Sequence, residues 1–188
     1  MTGTTHQLKV TLPTVKPRVW RRIVVSSDMT LAELAAVLEA AMGWLGGHLH
    51  VFDVGGTRYG RLDPDWGMDD LDENGFRLDK VLPEVGMKMR WDYDFGDGWE
   101  HDVVVEAIGL PERGVEYPVC LAGRRACPPE DCGGPWGYAD LLEALANPDH
   151  PEHEELSEWA PLGFDPARFD IEETSEAMHT PRPLQGWF

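Results

Sequence analysis

Three cysteines and seven histidines carry most of the chain's capacity for site chemistry. Cys127 and Cys132 stand in "RACPPEDCGGPWGY", residues 125–138, with four residues between them, and Cys120 lies seven residues upstream of Cys127. Thiolates are soft ligands, so Cys120, Cys127 and Cys132 with the imidazole of His101 form a candidate zinc set, making zinc the candidate cofactor. Zinc loops place two to four residues between paired cysteines, so this pair sits at the loose end and lacks a second close pair. The competing reading makes "CPPEDCGG" a turn held by proline and glycine, with small, half-apolar thiols in a buried corner. A dithiol redox role would use Cys-x-x-Cys, which does not occur. Gly133-Gly134 ahead of a helix could offer backbone N–H groups to an anion, without the lysine of a phosphate loop.

His48 and His50 flank Leu49 at strand spacing, so both rings face one side. Such a pair can chelate a metal, act as acid and base, or simply be structural. His150 and His153 make a weaker pair at helical spacing among many acids. No Gly-x-Ser-x-Gly elbow and no dinucleotide fingerprint is present.

The elements around these residues must position them. Leu8, Val10 and Leu12 alternate with Gln7, Lys9 and Thr11, the pattern of a half-buried strand. "RVWRRIVVS" reads as its hairpin partner, with Val19, Ile23 and Val25 inward and its arginines solvated. Thr30 and Glu33 form a capping box, and Leu31, Leu34, Leu38 and Met42 an apolar stripe, which predicts a helix over 30–42 ended by Gly43. A strand then follows, turning at Gly55-Gly56, and the acidic stretch 60–75 reads as an exposed loop.

Residues 87–107 read as a hairpin. Met89, Trp91 and Tyr93 alternate with Arg90, Asp92 and Asp94, and Trp99, His101 and Val103 with Glu100, Asp102 and Val104. A Gly96-Asp97-Gly98 loop keeps the aromatic residues on one face and pairs Phe95 with Trp99 and Tyr93 with His101. The other face then opposes Asp94 to Glu100 and Asp92 to Asp102, an acidic patch that needs a cation, a basic partner segment or simple exposure. Two helices are predicted near 136–147 and 150–160, and 165–188 reads as a loosely attached tail with a short helix near 171–178.

The net charge of −18, from 34 acids against 16 bases, argues against a nucleic-acid partner, whose phosphates are bound by Lys and Arg. No leader pattern opens the chain and no apolar run reaches membrane-span length, so the expectation is a cytoplasmic protein with no membrane partner. An odd cysteine count without an export signal argues against a disulfide framework.

"KPRVWRRIVVSSDMTLAELAAVLEAAMGW", "HLHVFDVGG", "YDFGDGWEH", "YPVCLAGRRACPPEDCGGPWGY" and "NPDHPEHEEL", in this order over roughly residues 5–175, resemble the plasmid pRiA4b Orf-three-like family. The resemblance implies an α+β fold, similar to a structurally determined archaeal hypothetical protein. It also implies linkage to plasmids or mobile elements, since some members are labelled insertion-element passenger proteins with a resolvase-like name. It implies no catalytic residues.

The fold class expected is therefore α+β. A mixed, mainly antiparallel sheet, β-grasp or roll-like, carries the 30–42 helix across one face, with C-terminal helices added and residues 1–164 as one domain. The first functional expectation is a non-catalytic binding module for an unknown protein or small-molecule partner. Its site would gather His48, His50, Asp97, Trp99, His101 and Trp136 near the acidic patch of Asp92, Asp94, Glu100 and Asp102. The second is a metal-dependent enzyme, a hydrolase, using histidines with cysteines or carboxylates. A DNA-acting, resolvase-like role ranks below both on charge.

Overall fold

Alternation of apolar and polar residues builds one sheet that runs through almost the whole chain. The computed structural model describes residues 3–61 and 70–180. The strands are β1 (Thr5–Leu12), β2 (Val19–Ser26), β3 (His50–Val54), β4 (Thr57–Gly60), β5 (Leu71–Asp72), β6 (Lys88–Tyr93), β7 (Trp99–Gly109) and β8 (Val119–Arg124). They lie in the order β5-β4-β3-β6-β7-β1-β2-β8. All neighbours are antiparallel except the short β4/β5 pair. The helices are α1 (Leu31–Met42), α2 (Leu78–Val81), α3 (Gly134–Ala146), α4 (His153–Trp159) and α5 (Ile171–His179). The α+β class, the mainly antiparallel sheet and the helix over one face are as the sequence pattern predicts.

The inward stripe of α1 covers the apolar face of the sheet. Leu31, Leu34 and Leu38 are wholly buried, with Leu8, Val10, Ile23, Trp91 and Val103 beneath them in one core cluster. Its start is the predicted capping box, in which Glu33 N–H donates to Thr30 Oγ1 while Thr30 N–H donates to Glu33. Gly43, at φ 84, closes it in the left-handed conformation that glycine adopts without strain. No helix among the described residues is long and apolar enough to cross a membrane.

Four expectations are corrected. The 87–107 hairpin pairs Tyr93 with Trp99, Trp91 with His101 and Met89 with Val103, two positions away from the predicted register. The reason is Asp94, whose φ of 55 starts the turn early. Its carboxylate accepts the N–H groups of Gly96 and Asp97, and its carbonyl that of Gly98 at 2.6 Å. Phe95 is thereby turned outward, 42% exposed. A shift of two leaves every residue on its predicted face. On the outer face Asp92 now opposes Glu100, and Arg90 opposes Asp102. The Arg90 guanidinium also reaches Asp92 Oδ1 at 2.9 Å, so the chain supplies its own cation there.

Second, Arg21 is not solvated but 4% exposed, on the inward face between Val19 and Ile23. Third, the acidic stretch is not all loop. Residues 62–69 lie outside the described residues, but 71–72 form β5 and Glu73 is buried in a 3₁₀ turn. Fourth, residues 165–180 are not a loose tail. Phe169 lies against Gly123 of β8 and over the Arg21 guanidinium, 4.5 Å from ring centroid to Cζ, and Ser175 Oγ accepts the Cys120 N–H. Met178 is 2% exposed, in the core cluster with α1 and the sheet, because α5 packs on α1 and β8. Residues 181–188 of that expectation lie outside the described residues.

Candidate functional site

The chain leaves α1 through Trp44 and a glycine-rich turn and delivers two histidines to the end of the sheet beside the β6/β7 turn. Trp44 is buried and stacks on Tyr93, with centroids 4.7 Å apart and planes 8° from parallel. Its indole N–H donates to the Pro128 carbonyl at 2.9 Å, which ties this end of α1 to the cysteine turn. Tyr93 Oη donates to Glu130 at 2.7 Å, and the Leu45 N–H donates to the other oxygen of the same carboxylate.

Two histidine–carboxylate clusters result. In the inner one, His50 Nε2 lies 2.8 Å from Glu73 Oε2 and Nδ1 3.7 Å from Glu39 Oε1, with both acids buried. Gly46, at φ 75, is what lets the loop close on Glu39. A Cβ there would lie 2.6 Å from the carboxylate oxygen. In the outer cluster, His48 Nδ1 faces Asp94 Oδ2 at 3.4 Å and Nε2 faces Asp131 Oδ1 at 3.6 Å. One ligand atom from each of His48, Asp94 and Asp131 falls within 4.8 Å of the others, the one such grouping among the described residues. Asp94 and Asp131 both hold left-handed backbone, at φ 55 and 58. Aspartate is among the few residues that tolerate this conformation, at a cost of about 1–2 kcal/mol each.

Burial pushes the Glu39 carboxyl from 4.5 up to about 7 against the pull of His50, with Glu73 and Glu130 adding to the rise. In the unfolded chain Glu39 ionises near its ordinary value, so between pH 4.5 and about 7 the folded state alone keeps the proton. The stability this confers is full below pH 4.5 and is lost as pH rises through about 7. Glu39→Gln is therefore expected to stabilise the protein at about pH 8, by up to about 3 kcal/mol, and to change little at about pH 4. Urea unfolding at the two pH values checks this. An equal effect at both would contradict it.

The structure brings together only part of the predicted site. His48 and His50 hold the two clusters at this end of the sheet, the pole beside the β6/β7 turn. Asp97 joins it through its turn, which packs on the cysteine turn so closely that a Cβ on Gly134 would lie 2.2 Å from the Asp97 carbonyl oxygen. Trp99 and His101 are core residues, 1% and 0% exposed. His101 Nδ1 lies 3.1 Å from the carbonyls of both Trp91 and Trp99, so it carries the proton and donates to them. Burial lowers its pKa to about 3, which keeps the ring neutral between Trp44 and Trp91. Trp136 stands 87% exposed on the first turn of α3. Of the acidic patch, Asp94 belongs to the pole, while Asp92, Glu100 and Asp102 stay on the outer sheet face.

The proposed zinc set is not assembled. Cys120 Sγ lies 3.6 Å from the Ala122 carbonyl, and Cys127 Sγ receives an Arg21 N–H at 3.2 Å and lies 3.6 Å from Met42 Sδ. No metal-capable grouping among the described residues contains a cysteine or His101. Burial, with Asp97 adding, pushes the Cys132 thiol up to about 12, and burial raises Cys120 and Cys127 too. The cysteine turn matters instead for Asp131, which it carries to His48. Glu39, Glu73, Glu130 and Trp44 were equally unassigned from sequence. One readable signal existed, an acid at position 39, four residues from Ala35 and three from Met42 on the buried side of α1.

A cavity of about 660 Å³ opens beside this pole, between the end of α1, the cysteine turn and the segment leading to α5. Trp44, Glu130, Phe164 and Phe169 form part of its wall.

Known proteins resemble this chain over most of its length. The crystal structure of the protein of unknown function MM3350 from Methanosarcina mazei Go1 superposes with a TM-score of 0.84 and 34% identity, covering 93% of this chain and 99% of that one. The uncharacterized protein y4hQ of Sinorhizobium fredii (strain NBRC 101917 / NGR234) is 40% identical over 180 residues, 95% of this chain and 92% of that protein. The family model described as "Plasmid pRiA4b ORF-3-like protein" matches residues 4–173. On that match, supported by both relatives, the chain belongs to the plasmid pRiA4b ORF-3-like family.

Proposed function

We propose that the protein is a non-catalytic binding module that takes a divalent cation, zinc first, at His48, Asp94 and Asp131, and through it a protein or small-molecule partner. The observation that carries this reading is the approach of the three ligand atoms to within 4.8 Å, from chain segments distant in sequence. One imidazole nitrogen and two carboxylate oxygens suit zinc or manganese. Tetrahedral ligand atoms at about 2.1 Å from zinc lie about 3.4 Å apart. The site would therefore contract on binding, and Asp131, with its side chain 76% exposed, is free to move. Asp94 is already held by the turn it caps. Three protein ligands leave a fourth position for the partner, and the 660 Å³ cavity offers adjoining apolar surface. Buried free thiols at Cys120 and Cys127 fit a reducing compartment, which supports a cytoplasmic location.

Zinc titration of metal-free protein tests the proposal. Wild type is expected to bind one equivalent, His48→Ala and Asp94→Asn to bind at least ~10–100-fold more weakly, and Cys127→Ser/Cys132→Ser to bind like wild type. Failure of wild type to bind, or loss of binding in the cysteine variant alone, would sink it. A metal-dependent hydrolase is the second reading, favoured by the His50 imidazole–carboxylate chain beside the cation position. Zinc-dependent turnover of simple ester or phosphoester substrates, lost in Asp94→Asn, would promote it over the first.

A further inference from the structure

The sheet face turned away from α1 carries a second, electrically opposite feature. On β1, β2 and β8 the outward residues bring Lys9, Trp20, Arg22 and Arg124 onto one patch. Lys9 is paired across from Arg22, and Trp20 lies across from Arg124. Directly opposed cations destabilise a strand pair unless something compensates them. Glu106 compensates Arg22, accepting both its Nε–H and an Nη–H, and takes a further bond from Gln7. Lys9 Nζ instead lies 5.3 Å from the centre of the Trp20 ring, which it shares with Arg22 at 5.4 Å.

Beside that ring runs a groove of about 280 Å³ lined by Lys9, Thr11, Pro17, Arg18, Trp20 and Arg124. The ion pairs that Lys and Arg make among the described residues involve Arg22, Arg58, Arg77, Lys80, Arg90 and Arg168. Lys9, Arg18 and Arg124 are in none of them, although the chain has 34 acidic residues to offer. Three cations line one groove with no direct ion pair among the described residues, a local concentration of positive charge in a chain of net charge −18, with Glu106 acting on Lys9 through space and Asp102 standing across from Thr11.

We infer that this groove binds a phosphate-bearing small ligand. Guanidinium groups present planar forks that match phosphate oxygens two at a time, and an ammonium adds a point charge. A phosphate monoester carries about −1.5 to −2 charges near neutral pH and can engage all three cations at once, which a single carboxylate cannot. Trp20 and Thr11 form the neutral wall against which the rest of such a ligand would lie. The groove is on the face opposite the histidines, so this inference is independent of the cation site.

Calorimetric titration of chelator-treated, dialysed protein with inorganic phosphate and with adenosine monophosphate, at about 0.1 M salt, is the test. Wild type is expected to bind both. Arg18→Gln/Arg124→Gln should bind at least ~10-fold more weakly with an unchanged melting temperature, since both side chains are on the surface. Tighter binding of the nucleotide, reduced to the phosphate value by Trp20→Leu, would identify a nucleotide as the ligand. Equal affinities would identify the phosphoryl group alone. No binding of either probe by wild type, or an unchanged affinity in the folded double variant, would overturn the inference.

Discussion

Gly134→Ala is expected to lower stability by about 3 kcal/mol or more and to weaken cation binding at His48 in the protein that remains folded. Two costs coincide at this position. The backbone holds φ +68, which an L side chain adopts only under strain. The added methyl carbon would also lie 2.2 Å from the Asp97 carbonyl oxygen, a backbone atom that cannot rotate out of the way. Either the cysteine turn or the β6/β7 turn must retreat. Both carry a carboxylate of the candidate site, Asp131 on the first and Asp94 on the second, so retreat of either separates the ligand atoms around His48. The control is Gly114→Ala, at φ +81 with nothing within 4 Å of the new carbon, which pays the conformational cost alone. Urea unfolding of the two variants beside wild type, followed by zinc titration of each, reads both effects. A Gly134 variant no less stable than the Gly114 variant would mean that the two turns do not depend on contact for their positions.

What could be read in the sequence follows from how local each determinant is. The 31–42 helix was legible because its cap, its stripe and its terminating glycine all lie within the segment itself. The faces of the 87–107 hairpin were legible because side chains alternate with period two, and for the same reason the pattern could not distinguish a register from one displaced by two. The deciding feature was the Asp94 side chain, which caps its own turn and makes a loop of Asp94–Gly98. Glu73 looked like part of a solvated acidic run because its burial depends on His50, which arrives from another strand. In the cysteine turn the sulfurs drew attention by residue type. The aspartate between them has the site contact, and only the fold brings it to His48. Phe169 and Met178, isolated apolar residues in a polar stretch, were signs that the C-terminal segment docks, although their partners are remote in sequence.

Arg21→Met is expected to cost a further large share of stability, about 3 kcal/mol or more, and to release the C-terminal segment before the sheet unfolds. Arg21 lies on the inward face of β2, between Val19 and Ile23, where an ionised group needs compensation. No carboxylate supplies it, since among the described residues none lies within 4.0 Å of the guanidinium. The Nε–H donates instead to the Ala41 carbonyl at 3.0 Å, in the last turn of α1, where carbonyls lack helical partners and the helix dipole favours a cation. One terminal nitrogen donates to the carbonyls of Trp20 and Arg124, and the other to Cys127 Sγ, so a single side chain joins β2, β8, α1 and the cysteine turn. Phe169 lies over its plane and extends the connection to the approach to α5. Methionine keeps the bulk and removes every donor, leaving buried acceptors unsatisfied at about 1–3 kcal/mol apiece before relaxation. Arg21→Lys keeps the charge without the fork and should fall between the two. Hydrogen exchange is the discriminating measurement. Loss of protection in α5 at denaturant concentrations where β1 and β7 remain protected would show that Arg21 fastens the C-terminal segment to the sheet. Uniform loss across the chain would make it an ordinary core residue, and no loss would mean that the helix end and the strands need no cation between them.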